Sequence, residues 1–285
     1  MKIKDTIVGQ FSSLSPELQR AADFSLQNSH QLVVLSMRAF ATQAGVRPAT
    51  LMRLAQRLGF GGWGEFKSAF VDELGLNNDT YVSRAEKLID KQSQPTLYDN
   101  VFQAHHSNLV YTQAENGRAM QQAVDLLDAA QNVYICGFRA SFPIAWSLFY
   151  VYRLFNQRVA LIDGLASNIE VFTRELTADD AILLTSFAPY SRESMEVLAA
   201  AQRAGAKIIT MTDSPVSPLA QAADCTLLFS VDSPSFFPSV ASGIGLAECL
   251  LAMLVARHGR EAVSKIESAE RYLIDSGAYV SATKS

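Results

Sequence analysis

The sequence predicts two domains of different fold class: an all-α domain over residues 1–76 and an α/β domain over residues 97–285 that contains a doubly wound, five-stranded parallel sheet. Two observations predict this division. Residues 1–76 carry helix-start signals and apolar residues at helical spacing, whereas from Asn132 short apolar runs alternate with helix-length segments. Residues 77–96 begin with a polar stretch that breaks the helical pattern, and we expect them to form a linker.

The composition is that of a folded protein with a large core. Hydrophobic residues make up 49% of the 285 residues and charged residues 18%. The beginning of the chain lacks the apolar run of a secretion signal, and the longest apolar run, residues 243–256, is interrupted by Glu248 and too short to span a bilayer. These features predict a cytoplasmic protein without a membrane partner. Three cysteines lie in apolar runs without C-x-x-C spacing, and we expect buried free thiols: Cys136, Cys225 and Cys249.

The first domain is predicted to consist of packed helices. Ser15-Pro16-Glu17 opens a helix that is predicted to end near Asn28. Further along the chain, residues 36–67 have the spacing of a helix-turn-helix followed by a third helix. Trp63 and Phe66 lie three residues apart in that third, closing helix, which suits one face packed on the bundle.

Gly45 is placed at the turn of this motif, where a residue with positive φ is needed to leave the first helix. Ala41, four residues earlier, lets the two helices cross closely. Pro48 is tolerated as the first residue of the second helix, predicted over about residues 48–58, because its missing N–H would be unpaired there. The positions predicted to face inward are Phe40, Ala44, Val46, Leu51 and Leu54.

The opposite face of this motif is predicted to contact double-stranded DNA. Residues 36–67 hold five basic residues against one acidic residue, a net charge of +4, while the whole chain has a net charge of −4. Arg47 stands at the N-cap, where a Ser or Thr would serve better, so a DNA contact explains it better than a helix start does. Two amphipathic helices that merely pack together could share this spacing. The predicted DNA-binding residues are Arg38, Arg47, Pro48, Ala49, Thr50, Arg53, Gln56, Arg57 and Lys67.

The second domain is predicted to begin with helices around residues 97–112 and 117–130 and to end with helices at about 239–258 and 260–276. The apolar runs between them indicate strands buried on both faces of a parallel sheet. Their connectivity fits the strand order 2-1-3-4-5. The predicted strands are Val133–Cys136, Arg158–Ile162, Ala181–Thr185, Lys207–Met211 and Cys225–Phe229.

This strand order predicts a ligand site beyond the carboxyl ends of the first and third strands, where the winding direction reverses. The loops there, residues 137–141 and 186–193, are rich in hydroxyl groups and lead into helix N-termini, which favour an anion such as phosphate. Ser141 and Ser191 could instead be ordinary helix caps. The predicted ligand-binding residues are Gly137, Arg139, Ser141, Ser186 and Ser191.

Short motifs in both domains have a counterpart in a known family. Those of the first domain are Ala44-Gly45-Val46, Ala49-Thr50, Arg53, Leu58-Gly59-Phe60-Gly61-Gly62-Trp63 and Glu65-Phe66-Lys67. Those of the second are Gly137, Ser141, Ser186, Ala204-Gly205-Ala206, Ser217-Pro218-Leu219 and Ala223-Asp224. On these motifs nearly the whole chain resembles the RpiR family of bacterial transcription regulators, which join a helix-turn-helix domain to a sugar-isomerase (SIS) domain. The resemblance implies a SIS domain that binds phosphosugars and DNA binding that responds to them.

The two ligand loops depart from the family pattern. Arg139 replaces the second glycine of G-x-G-x-S, and Ala188, Pro189 and Ser191 replace Ser, Gly and Thr of S-x-S-G-x-T. The cradle has therefore lost a hydroxyl group and gained a proline, whose nitrogen cannot donate a hydrogen bond. Two hypotheses follow. Arg139 compensates by contacting an anionic ligand, or it pairs with a nearby carboxylate, Glu170 or Glu193, in a pocket with a different ligand.

The sequence contains no pattern that predicts a catalytic site, a metal site or a cofactor. Sugar isomerisation needs a general base, but no histidine lies in the strand-end loops, which leaves Glu170 and Glu193. His105 and His106 are adjacent on a predicted helix and point in different directions, which makes them a poor metal pair. The function expected is a homodimeric regulator that binds a palindromic operator and senses an anionic metabolite, of which a phosphosugar is the leading candidate. The alternatives are a phosphosugar isomerase or lyase with an accessory helical domain, and a regulator that acts on another protein.

Overall fold

A computed structural model describes residues 3–73, 81–90 and 96–279 of the chain. The chain divides into two compact units, residues 1–79 and residues 80–285. The polar stretch at the start of residues 77–96, where the sequence predicts a break, lies outside the described residues. A helix, Tyr81–Asp90, lies within the predicted linker and belongs to the second unit.

The first unit is built from six described helices around one apolar core. They are α1 (Ile3–Gln10), α2 (Pro16–Gln27), α3 (Ser29–Val34), α4 (Met37–Gln43), α5 (Pro48–Arg57) and α6 (Trp63–Glu73). Phe40, Phe66 and Phe70 are fully buried at its centre, and the Phe66 and Phe70 rings meet edge to face with centroids 5.3 Å apart. The prediction that Trp63 and Phe66 share the inner face of a closing helix is confirmed by their ring contact at 5.8 Å.

The turn between α4 and α5 has the predicted geometry. Gly45 adopts φ +64°, and a Cβ atom there would meet no neighbour within 4 Å, so backbone conformation is what favours glycine at this position. The amide of Val46 donates to the carbonyl of Ala41 at 3.0 Å and closes the end of α4. Pro48 is the first residue of α5, and Arg47 is its N-cap without a side-chain capping bond, as predicted. Of the five positions predicted to face inward, four are buried and Val46 is half-buried.

The second unit alternates helices and strands after three initial helices, α7 (Tyr81–Asp90), α8 (Leu97–Glu115) and α9 (Gly117–Ala129). The strands are β1 (Val133–Gly137), β2 (Val159–Ile162), β3 (Ala181–Thr185), β4 (Lys207–Thr212) and β5 (Cys225–Leu228). The later helices are α10 (Phe142–Tyr152), α11 (Asn168–Thr173), α12 (Arg192–Ala204), α13 (Ala241–His258) and α14 (Arg260–Asp275).

The five strands form one parallel sheet of order β2-β1-β3-β4-β5, which confirms the predicted order. Successive β1 residues face opposite cores. Val133 and Ile135 join a cluster with α9, α10 and α13, while Tyr134 and Cys136 join a cluster with α11 and α12. Both faces of the central strands are therefore covered, which is why the strands are continuous apolar runs in the sequence.

α13 is long and apolar enough, by length and composition, to cross a membrane. Its buried residues, among them Leu246, Leu250 and Leu254, belong to the core beneath the sheet, which accounts for the apolar composition of the helix. The same helix corrects one prediction. Cys136 and Cys225 are buried as expected, but Cys249 is exposed because it lies on the outer side of α13.

Candidate functional site

The exposed face of α5 carries the groups that the sequence predicts for DNA. Arg47, Arg53 and Arg57 are exposed on it, together with Ala49 and Gln56, and Pro48 is half-buried. Arg38 is exposed on α4. A helix with this face outward and an apolar face packed on its own domain has the form of a recognition helix, which enters the major groove of DNA.

The prediction that Thr50 faces a groove of DNA is wrong. Its side chain is fully buried, and its hydroxyl donates to Oε1 of Glu17 on α2 at 2.8 Å. The other carboxylate oxygen of Glu17 lies 3.3 Å from Nη2 of Arg53, and the same nitrogen donates to the Thr50 hydroxyl at 3.3 Å. The hydrogen bond from Thr50, supported by the charge of Arg53, lowers the pKa of Glu17 below its usual value. Glu17 therefore carries a charge at neutral pH and orients Arg53.

Sequence reasoning missed Glu17 as a partner of Thr50 and Arg53. It precedes Thr50 by 33 positions, and in the sequence it is simply an acidic residue in the first turn of a helix. Only the crossing of α2 and α5 brings it to the recognition helix, and no local pattern signals that crossing.

Lys67, a predicted DNA-binding residue, already makes one hydrogen bond within its own domain. It is half-buried on α6, and its ammonium group donates to the carbonyl oxygen of Leu35 at 3.2 Å. Burial lowers its pKa. An ammonium group has three donors, so one bond to Leu35 leaves capacity for a phosphate oxygen.

A cavity of about 300 Å³ lies at the carboxyl ends of β1 and β3, where the strand order predicts a ligand site. It is lined by four of the five predicted ligand-binding residues, Arg139, Ser141, Ser186 and Ser191. The walls also include four aromatic rings that the sequence analysis did not assign to the site: Tyr81, Phe138, Phe187 and Phe237. The cavity thus combines hydroxyl groups with an aromatic surface, as small-molecule sites do.

Gly137, the fifth predicted residue, shapes the site without lining it. A Cβ atom at this position would lie 2.6 Å from Cβ of Ala145 and 3.0 Å from the carbonyl oxygen of Ser141. The start of α10 therefore packs directly on the end of β1, and only glycine leaves room for that approach.

The serine hydroxyls differ in how far the fold already uses them. Ser141 accepts from the amide of Phe138 at 3.1 Å and donates to its carbonyl at 2.8 Å. Ser191 caps α12 by accepting from the amide of Ser194 at 3.1 Å, as the capping alternative expects. Ser141 precedes α10 but makes no side-chain capping bond to that helix, because its hydroxyl bonds back to Phe138. The hydroxyl of Ser186 has no hydrogen-bond partner among the described residues, although the residue is only 3% exposed. Ser186 is therefore the lining serine with its hydrogen-bonding capacity intact.

Arg139 pairs with Glu193, one of the two carboxylates considered for it. Its Nη2 lies 2.7 Å from Oε1 of Glu193, and its Nε donates to Oε2 at 3.4 Å. This side-chain hydrogen bond is the main reason why the pKa of Glu193 is lowered. Arg139 also adopts φ +52°, a left-handed conformation that is uncommon for a residue other than glycine. Glycine, which the family pattern has at this position, adopts such a φ angle without strain.

The loop of residues 186–193 is held in place by Asp213, the residue that follows β4. One carboxylate oxygen of Asp213 accepts from the amide of Ala188 at 3.2 Å, and the other accepts from the hydroxyl of Tyr190 at 2.9 Å. Burial and the charge of Asp213 raise the pKa of Tyr190, which therefore stays protonated and keeps this bond. Asp213 thus holds this loop through the backbone of residue 188 and the side chain of Tyr190.

The chemistry of the cavity favours binding over proton transfer. Glu193 does not line the cavity but pairs with the lining residue Arg139. Its lowered pKa makes it a weak base, whereas general bases are tuned toward neutrality. Glu170, the other carboxylate considered, is exposed on α11 and does not line the cavity. Within the described ranges no group of three or more His, Cys, Asp and Glu side chains is placed to hold a metal ion.

A helix-turn-helix unit followed by a doubly wound domain with a cavity at its switch point defines a class of two-domain proteins. Comparison with known families agrees with this class. Residues 1–76 match the model of the helix-turn-helix domain of the rpiR family, and residues 126–257 match that of the SIS domain. The chain belongs to the RpiR family.

Its relatives include named transcriptional regulators. It is 25% identical over 237 residues to the HTH-type transcriptional regulator HexR of Pseudomonas aeruginosa, covering 81% of this chain and 79% of that protein. HexR of Escherichia coli strain K12 is 24% identical over 235 residues, which cover 82% of this chain and 79% of that protein. Both alignments extend over both domains.

Solved structures share the fold. The sugar isomerase domain of an RpiR transcription factor from Sphaerobacter thermophilus has a TM-score of 0.59 and 25% identity, covering 62% of this chain and 99% of that one. The NanR protein of Vibrio vulnificus, in complex with ManNAc-6P, has a TM-score of 0.60 and 17% identity, covering 97% of this chain and 100% of that one. The architecture is therefore that of RpiR-type regulators with a SIS domain.

Proposed function

We propose that this protein is a cytoplasmic transcription regulator that binds double-stranded DNA through α5 and whose DNA affinity changes when an anionic metabolite occupies the cavity between β1 and β3. The observation that carries the proposal is the presence of both devices on one chain. An exposed face of arginines lies on a helix in recognition position, and a cavity with an unused serine hydroxyl lies at the switch point of a SIS domain.

The DNA part of the proposal assigns two kinds of contact. Arg53, oriented by Glu17 and Thr50, contacts a base edge, while Arg38, Arg57 and Lys67 contact phosphates. A homodimer would present two recognition helices to a palindromic operator with half-sites one or more helical turns apart.

The metabolite part of the proposal names a phosphosugar as the ligand class. A cavity of about 300 Å³ suits a ligand of monosaccharide size. Its anionic group would lie near Arg139, Ser186 and the amides at the start of α12, where a helix N-terminus favours negative charge. The NanR protein of Vibrio vulnificus, which shares the fold, has ManNAc-6P, a phosphosugar, as the ligand in its complex.

The test is a thermal-shift screen of phosphosugars and small organic acids, followed by DNA binding with each compound that stabilises the protein. We expect at least one phosphosugar to raise the melting temperature and to change the affinity for an operator selected from random duplexes. DNA affinity is expected to fall steeply with salt, since each phosphate contact contributes a slope of about −0.9 in log K against log salt. Salt-independent DNA binding, or hits that leave DNA binding unchanged, would contradict the proposal.

The alternative to a regulator is an enzyme that isomerises or cleaves a phosphosugar. The relatives described above are named regulators, and Glu193 is a weaker base than an unperturbed carboxylate. We therefore propose that the protein is not an enzyme. Turnover of any phosphosugar in a coupled assay, abolished by Glu193→Gln, would replace the regulator proposal with that of an isomerase or lyase.

A further inference from the structure

α7 contributes a wall to the cavity between β1 and β3, although the family motifs do not extend to this helix. Tyr81, its first residue, lines the cavity together with Phe138, Phe187 and Phe237. The Tyr81 ring packs on the Phe237 ring with centroids 5.0 Å apart at an interplanar angle of 37°. A ligand in the cavity therefore meets an aromatic surface on the side of α7 as well as polar groups on the side of the sheet.

A second contact holds α7 in this place. Nη2 of Arg84 donates to the carbonyl oxygen of Ser233 at 2.9 Å, one turn along the helix from Tyr81. Ser233 and Phe237 belong to the same segment between β5 and α13, so both contacts fasten α7 to one loop of the cavity wall.

α7 is nevertheless docked shallowly. Every side chain from Tyr81 to Ile89 is at least partly exposed, and Val82 and Ile89 are 67% and 69% exposed. An element that buries so little apolar surface belongs to the low-stability part of a fold and can change position at small cost in free energy. In the chain, α7 follows α6 of the helix-turn-helix unit after residues 74–80.

We propose that Tyr81 is a ligand-contacting residue of the metabolite site, stacking on the apolar face of a sugar-sized ligand, and that α7 is the element through which the occupied site changes DNA binding. This inference rests on the proposed function. Occupancy can shift the position of α7 only if the ligand binds more tightly to one position than to the other, and the Tyr81 ring supplies a contact that exists only when α7 is docked.

The first experiment measures the contact. Tyr81→Ala is compared with Val82→Ala, a matched control on the same helix that does not line the cavity, by calorimetric titration with glucose 6-phosphate and with 6-phosphogluconate. Of the two ligands, we consider the one that binds the wild-type chain more tightly. Loss of the aromatic contact is expected to raise its dissociation constant about two- to tenfold in Tyr81→Ala, and by less than that in Val82→Ala. Equal dissociation constants in the two variants would overturn the assignment of Tyr81.

The second experiment tests the coupling without any ligand. Tyr81→Cys and Phe237→Cys are combined in a Cys249→Ser background, which removes the exposed native thiol. A short bis-maleimide then joins the two new thiols within one chain, and the same variant capped with N-ethylmaleimide is the control. We expect locking α7 to change the DNA dissociation constant by about fivefold or more.

Two results would overturn this inference while leaving the proposed function standing. One is a cross-linked protein with the DNA affinity of the capped control. The other is the absence of an intramolecular cross-link although both thiols react with N-ethylmaleimide, since Tyr81 would then not cover the cavity. A wild-type chain that binds no DNA would overturn the proposed function and the role of α7 with it.

Discussion

Each unit of the chain carries an exposed arginine paired with a glutamate from another element, but the two pairs are held differently. In the first unit, Arg53 and Glu17 share the hydroxyl of Thr50, which is fully buried. In the second unit, Arg139 lines the cavity and pairs with Glu193, and its side chain is 72% exposed against 61% for Arg53. No buried side chain joins that second pair among the described residues.

The two arginines are therefore suited to different contacts. A buried partner fixes the direction of Arg53, because the core of the domain sets the position of Thr50, and a fixed guanidinium suits the reading of a base edge. The Arg139 side chain is 72% exposed and, in the part of the chain that the structure describes, bonds only to the Glu193 carboxylate, so water and salt compete with that pair without a buried group to hold it. Arg139 can therefore exchange Glu193 for an anionic ligand.

The largest effect is expected when a side chain is added at Gly137, where α10 packs directly on the end of β1. Gly137→Val would force a side chain against Ala145 and the Ser141 carbonyl, and we expect a loss of stability toward the upper end of about 1–3 kcal/mol. Urea unfolding followed by fluorescence measures it in a Trp63→Phe background, where Trp146 alone reports on the second unit. Gly45→Ala is the control, because only the φ angle opposes that change, at about 1–2 kcal/mol in the first unit. It should leave the unfolding of the second unit, which Trp146 reports, unchanged. Unchanged stability of the Gly137 variant would show that α10 can move away from β1.

Removing the oriented arginine is expected to have the next largest effect. Arg53→Ala should weaken binding to the preferred operator by about 5- to 150-fold and relax the preference at one base position. Binding assays on a selected operator and on duplexes with single changes measure both effects. Arg57→Ala is the matched control on the same helix, and it should weaken all sequences alike. Equal losses on all sequences with Arg53→Ala would remove the base contact from the proposal.

Glu17→Gln tests whether orientation, rather than charge alone, makes Arg53 selective. The amide oxygen can still accept from Thr50, but the charge that holds Arg53 is gone. We expect tighter binding to arbitrary duplexes, by a few-fold, together with a smaller difference between the preferred operator and its single changes. A double-mutant cycle with Arg53→Ala measures the coupling, and additive effects would contradict the positioning role.

Glu193→Gln should free Arg139 and tighten the binding of an anionic ligand by about two- to fivefold. Arg139→Ala alone should weaken that binding, and in the Glu193→Gln background it should abolish the gain. Because Arg139 lowers the pKa of Glu193, the pair persists at neutral pH and is lost only as the pH falls through that lowered value, so the difference between variants should disappear in acid. Calorimetric titration at several pH values measures this. Ligand affinity that is the same in all three variants would assign Arg139 to the fold alone.

The smallest effect is expected at Cys249, which lies on α13 outside both arginine pairs. A thiol reagent should modify one thiol in the native chain and all three after denaturation. Burial raises the pKa of Cys136, and the pKa of Cys225 is raised to about 11, so neither forms a thiolate at neutral pH. Modification should leave DNA and ligand affinity unchanged within about twofold, which a binding assay before and after labelling checks. A larger change would place Cys249 on a functional surface.

Much of the fold and part of the site could be predicted from the sequence because their causes are local. The φ angle of Gly45, the start of α5 at Pro48 and the exposure of its arginines follow from turn chemistry and helical spacing. The strand order and the convergence of Arg139, Ser141, Ser186 and Ser191 follow from apolar runs and the winding rule for parallel sheets.

The remainder depends on contacts between residues far apart in the chain, which periodicity and spacing do not encode. The hydroxyl of Thr50 is buried and donates to Glu17, 33 positions away, so a residue predicted to face a groove instead supports Arg53. Tyr81 reaches the cavity from a predicted linker, because its ring packs on Phe237. Local sequence patterns were thus enough to predict the helix-turn-helix, the five strands and their order, but they missed the helix Tyr81–Asp90. The tertiary structure alone decided which charged and hydroxyl groups the fold had already paired, since that depends on which surfaces the packing of helices brings within hydrogen-bond distance.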